Sequence, residues 1–106
     1  MGYDINVGTQ HIYLTYNHYG IFKKYNIYPR EFNDMKVKEI ISFYKNAIEH
    51  LEKLYPNEKG IFIALHTKYH SNELYENDER IVLRILYNLM DVLENYCKEY
   101  DIWKCD

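Results

Sequence analysis

The chain has 106 residues, 47% of them hydrophobic and 27% charged, with a formal net charge of −3. That is one domain's length, residues 1–106, with a composition that excludes disorder. The acidic balance argues against non-specific binding to duplex nucleic acid.

No apolar run approaches the ~18 residues of a membrane span, and Met1, Gly2, Tyr3 and Asp4 open neither a signal nor a transit peptide. A soluble cytoplasmic protein with no membrane partner is therefore expected. Thirteen tyrosines stand out. Ten lysines against three arginines, with twelve isoleucines, ten asparagines and two alanines, carry the stamp of AT-rich coding. Part of the tyrosine excess comes from that bias.

Residues 3–7 alternate with Tyr3, Ile5 and Val7 apolar, and residues 12–16 alternate with Ile12, Leu14 and Tyr16 apolar. Two strands joined as a hairpin are expected, with Gly8 supplying a positive φ. Asn17 is placed to cap a short helix from His18 to about Asn26, and Pro29 to stop it. Asn33 or Asp34 then caps an amphipathic helix of about 20 residues, with its stripe at Val37, Ile40, Ile41, Tyr44, Ile48, Leu51, Leu54 and Tyr55. Pro56 ends it. Residues 61–65 form an apolar run that fits a strand better than a helix. Residues 66–77 read as a polar loop. Asn77 or Asp78 opens a last helix whose stripe runs from Val82 through Leu93 to Tyr96, Cys97 and Tyr100. The predicted fold is α+β: a small antiparallel sheet of two or three strands, covered on one face by two long antiparallel helices.

Few residue patterns point to chemistry. His66 and His70 are four apart, but Thr67 stands where a zinc-protease glutamate belongs, so they read as loop histidines and no metal is expected. Cys97 and Cys105 lack zinc spacing and any pairing with a catalytic histidine. They read as free thiols, Cys97 protected on the helix stripe and Cys105 reactive in the tail. Trp103 is expected to pack into the core, because an exposed lone tryptophan is a liability. The glycines at 2, 8, 20 and 60 make no phosphate loop. No cofactor and no catalytic constellation are predicted.

The stretch 19–30 is the exception. Lys23, Lys24 and Arg30 stand there with no acid, interleaved with Tyr19, Tyr25 and Tyr28. Aromatic faces stack on bases and cations pair with phosphates. Asn17, Tyr19, Lys23, Lys24, Tyr25 and Arg30 are thus the candidate ligand-binding residues. Residues 73–79 supply the opposite charge in Glu73, Glu76, Asp78 and Glu79.

Tyr3-Asp4-Ile5, then Leu14-Thr15-Tyr16-Asn17, the two long helices and a closing Asp101-Ile102-Trp103 resemble a group of small phage and prophage proteins. Members open on a Tyr-Asp-Ile strand, carry a Thr-(Tyr or His)-Asn element and end in a tail containing Trp. Here Asn57-Glu58-Lys59-Gly60 replaces their Asn-Gly-Trp-Gly-like loop, and Tyr100 stands before Asp101 where their tail often has proline. The group has no established activity, so the resemblance implies a viral setting in the host cytoplasm and no mechanism. In that setting the expected function is non-catalytic. The chain would sequester a small anionic, nucleotide-like host immune signal as an anti-defence protein, with a homo-oligomer enclosing the ligand. The alternative is a protein-binding inhibitor of a host defence complex, acting through its acidic or helical surface.

Overall fold

A computed structural model describes all residues 1–106. Strands β1 (Gly2–Val7), β2 (Gln10–Thr15) and β3 (Trp103–Cys105) form one sheet in the order β2-β1-β3, antiparallel throughout. Helices α1 (Tyr19–Lys24), α2 (Val37–Leu54) and α3 (Glu79–Asn95) complete the α+β fold. Single 3₁₀ turns occupy Tyr16–His18, Pro29–Phe32 and Asn72–Tyr75. No helix is long and apolar enough to cross a membrane.

The hairpin forms as its alternation dictates. Val7 pairs with Gln10, leaving a two-residue turn in which Gly8 alone has positive φ, at 58°. That is the sign pattern of a type II′ turn. A Cβ on Gly8 would also crowd the Asp101 carboxylate, which would have to shift. Tyr3, Ile5 and Val7 face the core from β1, joined by Ile12 and Leu14 from β2 and by Trp103 and Cys105 from β3.

The long helices meet this face with Val37, Ile40, Tyr44, Ile48 and Leu51 from α2, and Val82, Ile85, Leu86, Leu89 and Leu93 from α3. They run antiparallel. The first N–H groups of α2 bond to Asp101 O and Glu99 O just beyond α3, at 2.9 and 3.0 Å. Arg84 near the start of α3 reaches back to Glu58 beyond α2, at 2.9 Å.

The third strand comes from the tail and not from residues 61–65. That segment lies along the outer edge of β2 but joins it only around Leu65 and His66, where Tyr13 N donates to Leu65 O at 2.6 Å. Ala64 satisfies its own backbone locally, its N–H on Ser71 Oγ and its carbonyl on Ser71 N–H. A ladder needs those groups free.

Several caps also differ from expectation. Thr15, not Asn17, caps the turn after β2, accepting from Asn17 N at 3.2 Å. Helix α1 ends at Lys24, before Pro29, because Asn26 takes φ 59° and Ile27 N closes on Phe22 O at 2.9 Å. Helix α2 starts after Lys36, whose N–H is taken by Glu39 Oε1. Asn33 instead uses its amide like a neighbouring strand, accepting from Cys105 N and donating to Cys105 O. With Asp34 N on Trp103 O and Trp103 N on Met35 O, residues 33–35 cover the free edge of β3. At the other end of the chain's stripe, α3 stops at Asn95, and Tyr96 and Tyr100 are exposed instead of packed.

Trp103 is fully buried between Phe32 and Tyr44, and its Nε1–H donates to Pro29 O at 2.9 Å. The thiols reverse their expected exposure: Cys105 is buried by the strand pairing and Cys97 is half-buried.

Candidate functional site: a tyrosine surface around Arg30

The turn after β2, helix α1 and the turn at Pro29–Phe32 bring a group of tyrosines to the open end of the hairpin. Tyr3 lies at the heart of it. Its ring makes edge contacts with Tyr16 and Tyr28, at centroid distances of 4.7 and 5.7 Å. Tyr19, half exposed, meets Tyr28 edge-on at 5.3 Å. Burial and the neighbouring Tyr28 hydroxyl raise the Tyr3 pKa, so its phenol stays protonated.

Arg30 projects from the Pro29 turn over this cluster. Its guanidinium carbon is 5.3 Å from the Tyr3 ring centre and 5.4 Å from that of Tyr16. Nη2 donates to Tyr16 OH at 2.8 Å, Nη1 to Tyr28 OH at 3.4 Å, and Nε to the main-chain oxygen of Asp106 at 3.0 Å. No carboxylate side chain pairs with it. The guanidinium is thus held in place by two phenol hydroxyls and one main-chain oxygen, with no acidic side chain against it.

Lys23 approaches from α1, with Nζ 4.6 Å from the Tyr28 ring centre and 6.0 Å from that of Tyr19. It also bonds Glu31 at 2.9 Å, and this contact is what chiefly raises its pKa. Both partners are well exposed, and such pairs exchange readily with solvent and other ions.

The remaining candidates lie elsewhere. Lys24 pairs with Glu79 Oε1 at 2.7 Å, and Tyr25 OH donates to Oε2 of the same carboxylate at 2.8 Å. The hydrogen bond from Lys24 is the main reason the Glu79 pKa is lowered. These two side chains tie α1 to the start of α3. Asn17 Nδ2 donates to Tyr75 O at 2.8 Å and fastens the segment 66–76 to the turn after β2. Tyr19, Lys23 and Arg30 therefore meet around Tyr28, while Asn17, Lys24 and Tyr25 serve internal contacts.

Sequence reasoning missed Tyr3 and Tyr16 as partners of Arg30. The alternation of β1 marked Tyr3 as core, which it is, but nothing local placed its ring beneath a guanidinium 27 positions later.

Three of the four acids of residues 73–79 are also engaged, and Glu76 is exposed. Glu73 binds Arg84 at 3.3 Å, Asp78 caps α3 by accepting from Arg80 N at 2.8 Å, and Glu79 is held by Lys24 and Tyr25. His66 and His70 serve their own loop: His66 Nδ1 accepts from Lys68 N, and His70 stacks on Tyr13 at 4.6 Å. No three His, Cys, Asp or Glu side chains come together in metal-binding geometry. No protein family, curated protein or solved structure matches this chain.

Proposed function

We propose that the protein works by binding a small anionic, nucleotide-like molecule on the tyrosine surface around Tyr28, without chemical turnover. Tyr19 and Tyr28 offer ring faces and edges to a base, and Arg30 and Lys23 supply charge-assisted hydrogen bonds to a phosphate. The observation that carries this reading is Arg30. It is exposed, pre-oriented by two phenol hydroxyls and a main-chain oxygen, and unpaired with any carboxylate side chain. Lys23 exchanges Glu31 for the ligand at small cost, because the pair is exposed. The surface is open on one side, so a second copy of the chain laid over it would enclose the ligand. In the phage setting that the sequence resembles, such capture would withdraw a host immune signal.

The alternative, a protein-binding inhibitor acting through the acids of residues 73–79, draws less support. Glu73, Asp78 and Glu79 are already committed within the fold.

Calorimetry with a nucleoside diphosphate and with the bare nucleoside tests the proposal. The diphosphate should bind saturably, more weakly as salt rises, and the nucleoside far less well. Arg30→Ala should cost about 2 kcal/mol of binding, while Lys24→Ala, which touches Glu79 instead, should leave affinity nearly unchanged. Equal affinities for diphosphate and nucleoside, or an Arg30→Ala protein that binds like the parent, would refute it.

A further inference from the structure

A cleft of about 290 Å³ opens well away from Arg30, between the start of β2, residues 62–66 and the second half of α3. Its floor is apolar, made by Ile12, Ile63, Leu65 and Val92. At its rim stand Phe62, 76% exposed, and Tyr96, 63% exposed.

Those two rings are unlike the other exposed aromatics. Tyr16, Tyr19, Phe43, Tyr69, Tyr75 and Tyr100 each have a ring or a cation against them inside the chain. Phe62 and Tyr96 have neither. The same cleft is lined by Asp91, an exposed carboxylate that accepts a hydrogen bond from Asn95 Nδ2 at 2.6 Å and pairs with no lysine or arginine. No lysine or arginine lines the cleft, whose remaining polar lining is Gln10, His11, His66 and Asn88. An apolar floor, two unpaired aromatic rings and one uncancelled negative charge together describe the reverse of an anion site.

We propose that this cleft binds a small organic cation, an alkylated ammonium whose apolar groups rest on Ile12, Ile63, Leu65 and Val92. Phe62 and Tyr96 supply the negative faces of their rings, and Asp91 supplies the counter-charge. The chain already covers its tyrosines with cations in this way on other surfaces, as Lys38 over Tyr100 and Arg80 over Tyr55 show. The volume lies at the lower end of the range for small-molecule sites, which favours a compact head over an extended polymer. The site is independent of the tyrosine surface and of the function proposed for it.

The probes are choline and its uncharged isostere 3,3-dimethyl-1-butanol, titrated separately into the full chain and followed by methyl NMR. Choline should shift the methyl signals of Ile12, Ile63, Leu65 and Val92 saturably. The isostere should bind about tenfold more weakly, the difference a desolvated cation–π contact makes. Phe62→Ala and Asp91→Asn should each weaken choline by a similar factor, and Tyr96→Phe, which keeps the ring, should bind as the parent does. Both weakening substitutions fall on exposed side chains, and an unchanged spectrum away from the cleft verifies the fold. Isostere binding equal to that of choline, choline shifts outside the cleft, parental affinity in Asp91→Asn, or no binding of choline at 50-fold the concentration of protein and beyond, up to ~0.1 M, overturns the proposal.

Discussion

Trp103 shows how one side chain ties distant parts of the chain. It lies three residues from the last position, is fully buried, and bonds the carbonyl of Pro29 while packing on Phe32 and Tyr44. Trp103→Ala removes the largest buried side chain and its hydrogen bond to that carbonyl. A loss of about 4 kcal/mol is expected, measured as a shift in the urea midpoint. The expectation that this residue belongs to the core needed only its type; its partners could not be read, since Pro29 and Tyr44 are far from it in sequence. The cysteines make the opposite lesson. Periodicity placed Cys97 on a buried stripe, but α3 ends two residues earlier and leaves it half-buried, whereas the tail thiol enters a strand. Burial pushes both thiols up to about 11. Both should therefore react slowly with a disulfide reagent at neutral pH, Cys97 ahead of Cys105, and both rapidly once the chain is unfolded. Faster labelling of Cys105 would contradict the buried strand.

Among the elements, the segment 66–76 is the least expected. Residues 66–77 read as a polar loop, yet this segment wraps the edge of β2, covers Tyr13 with His70 and sends Leu74 into the core. Its anchor is His18, fully buried, whose Nε2–H donates to Leu74 O at 2.6 Å while Nδ1 has no partner. Phe22 packs on the ring at 5.7 Å, and no charged group acts on the imidazole. Burial therefore lowers its pKa, with the Leu74 bond opposing the shift only in part. The consequence for stability has a definite sign. Above about pH 6.5 the histidine is neutral both folded and unfolded, and it adds no pH dependence. As pH falls below that value the unfolded chain takes up the proton and the folded chain does not, so stability drops until the folded imidazole is itself protonated. His18→Gln keeps a donor for Leu74 O and cannot charge. Its unfolding free energy should fall less than the parent's between pH 7 and pH 5, and parallel profiles would show that His18 is not the linked group. Nothing in residues 66–76 signals this role, because the anchor is a backbone carbonyl that carries no residue identity.

At the scale of the whole molecule, what was legible was what repeats locally. The hairpin follows from alternation and Gly8, the long helices from apolar steps of three and four, and the α+β class from their combination. What was not legible depends on pairings across the chain: β3 against β1, residues 33–35 against β3, and Arg30 over Tyr3 and Tyr16. The basic stretch 19–30 illustrates the division. Its composition marked a cationic aromatic surface, but only the fold sorts Lys24 to Glu79 and leaves Arg30 without an acidic side chain. Charge thereby divides between a face that presents a guanidinium with no acidic side chain beside it and a cleft that presents a carboxylate with no lysine or arginine beside it, a separation that the net charge of −3 conceals.

The order β2-β1-β3 makes the central strand wait for residues 103–105. During synthesis at ~5–20 residues per second, β1 leaves the ribosome and spends roughly 5–20 s before Trp103 can follow. Through that interval Ile5 and Val7 keep one edge of an apolar strand open to any neighbouring nascent chain. Polysomes bring many such copies close together. Yield in a producing cell should therefore depend on translation speed and on holding chaperones more than on the stability of the finished fold.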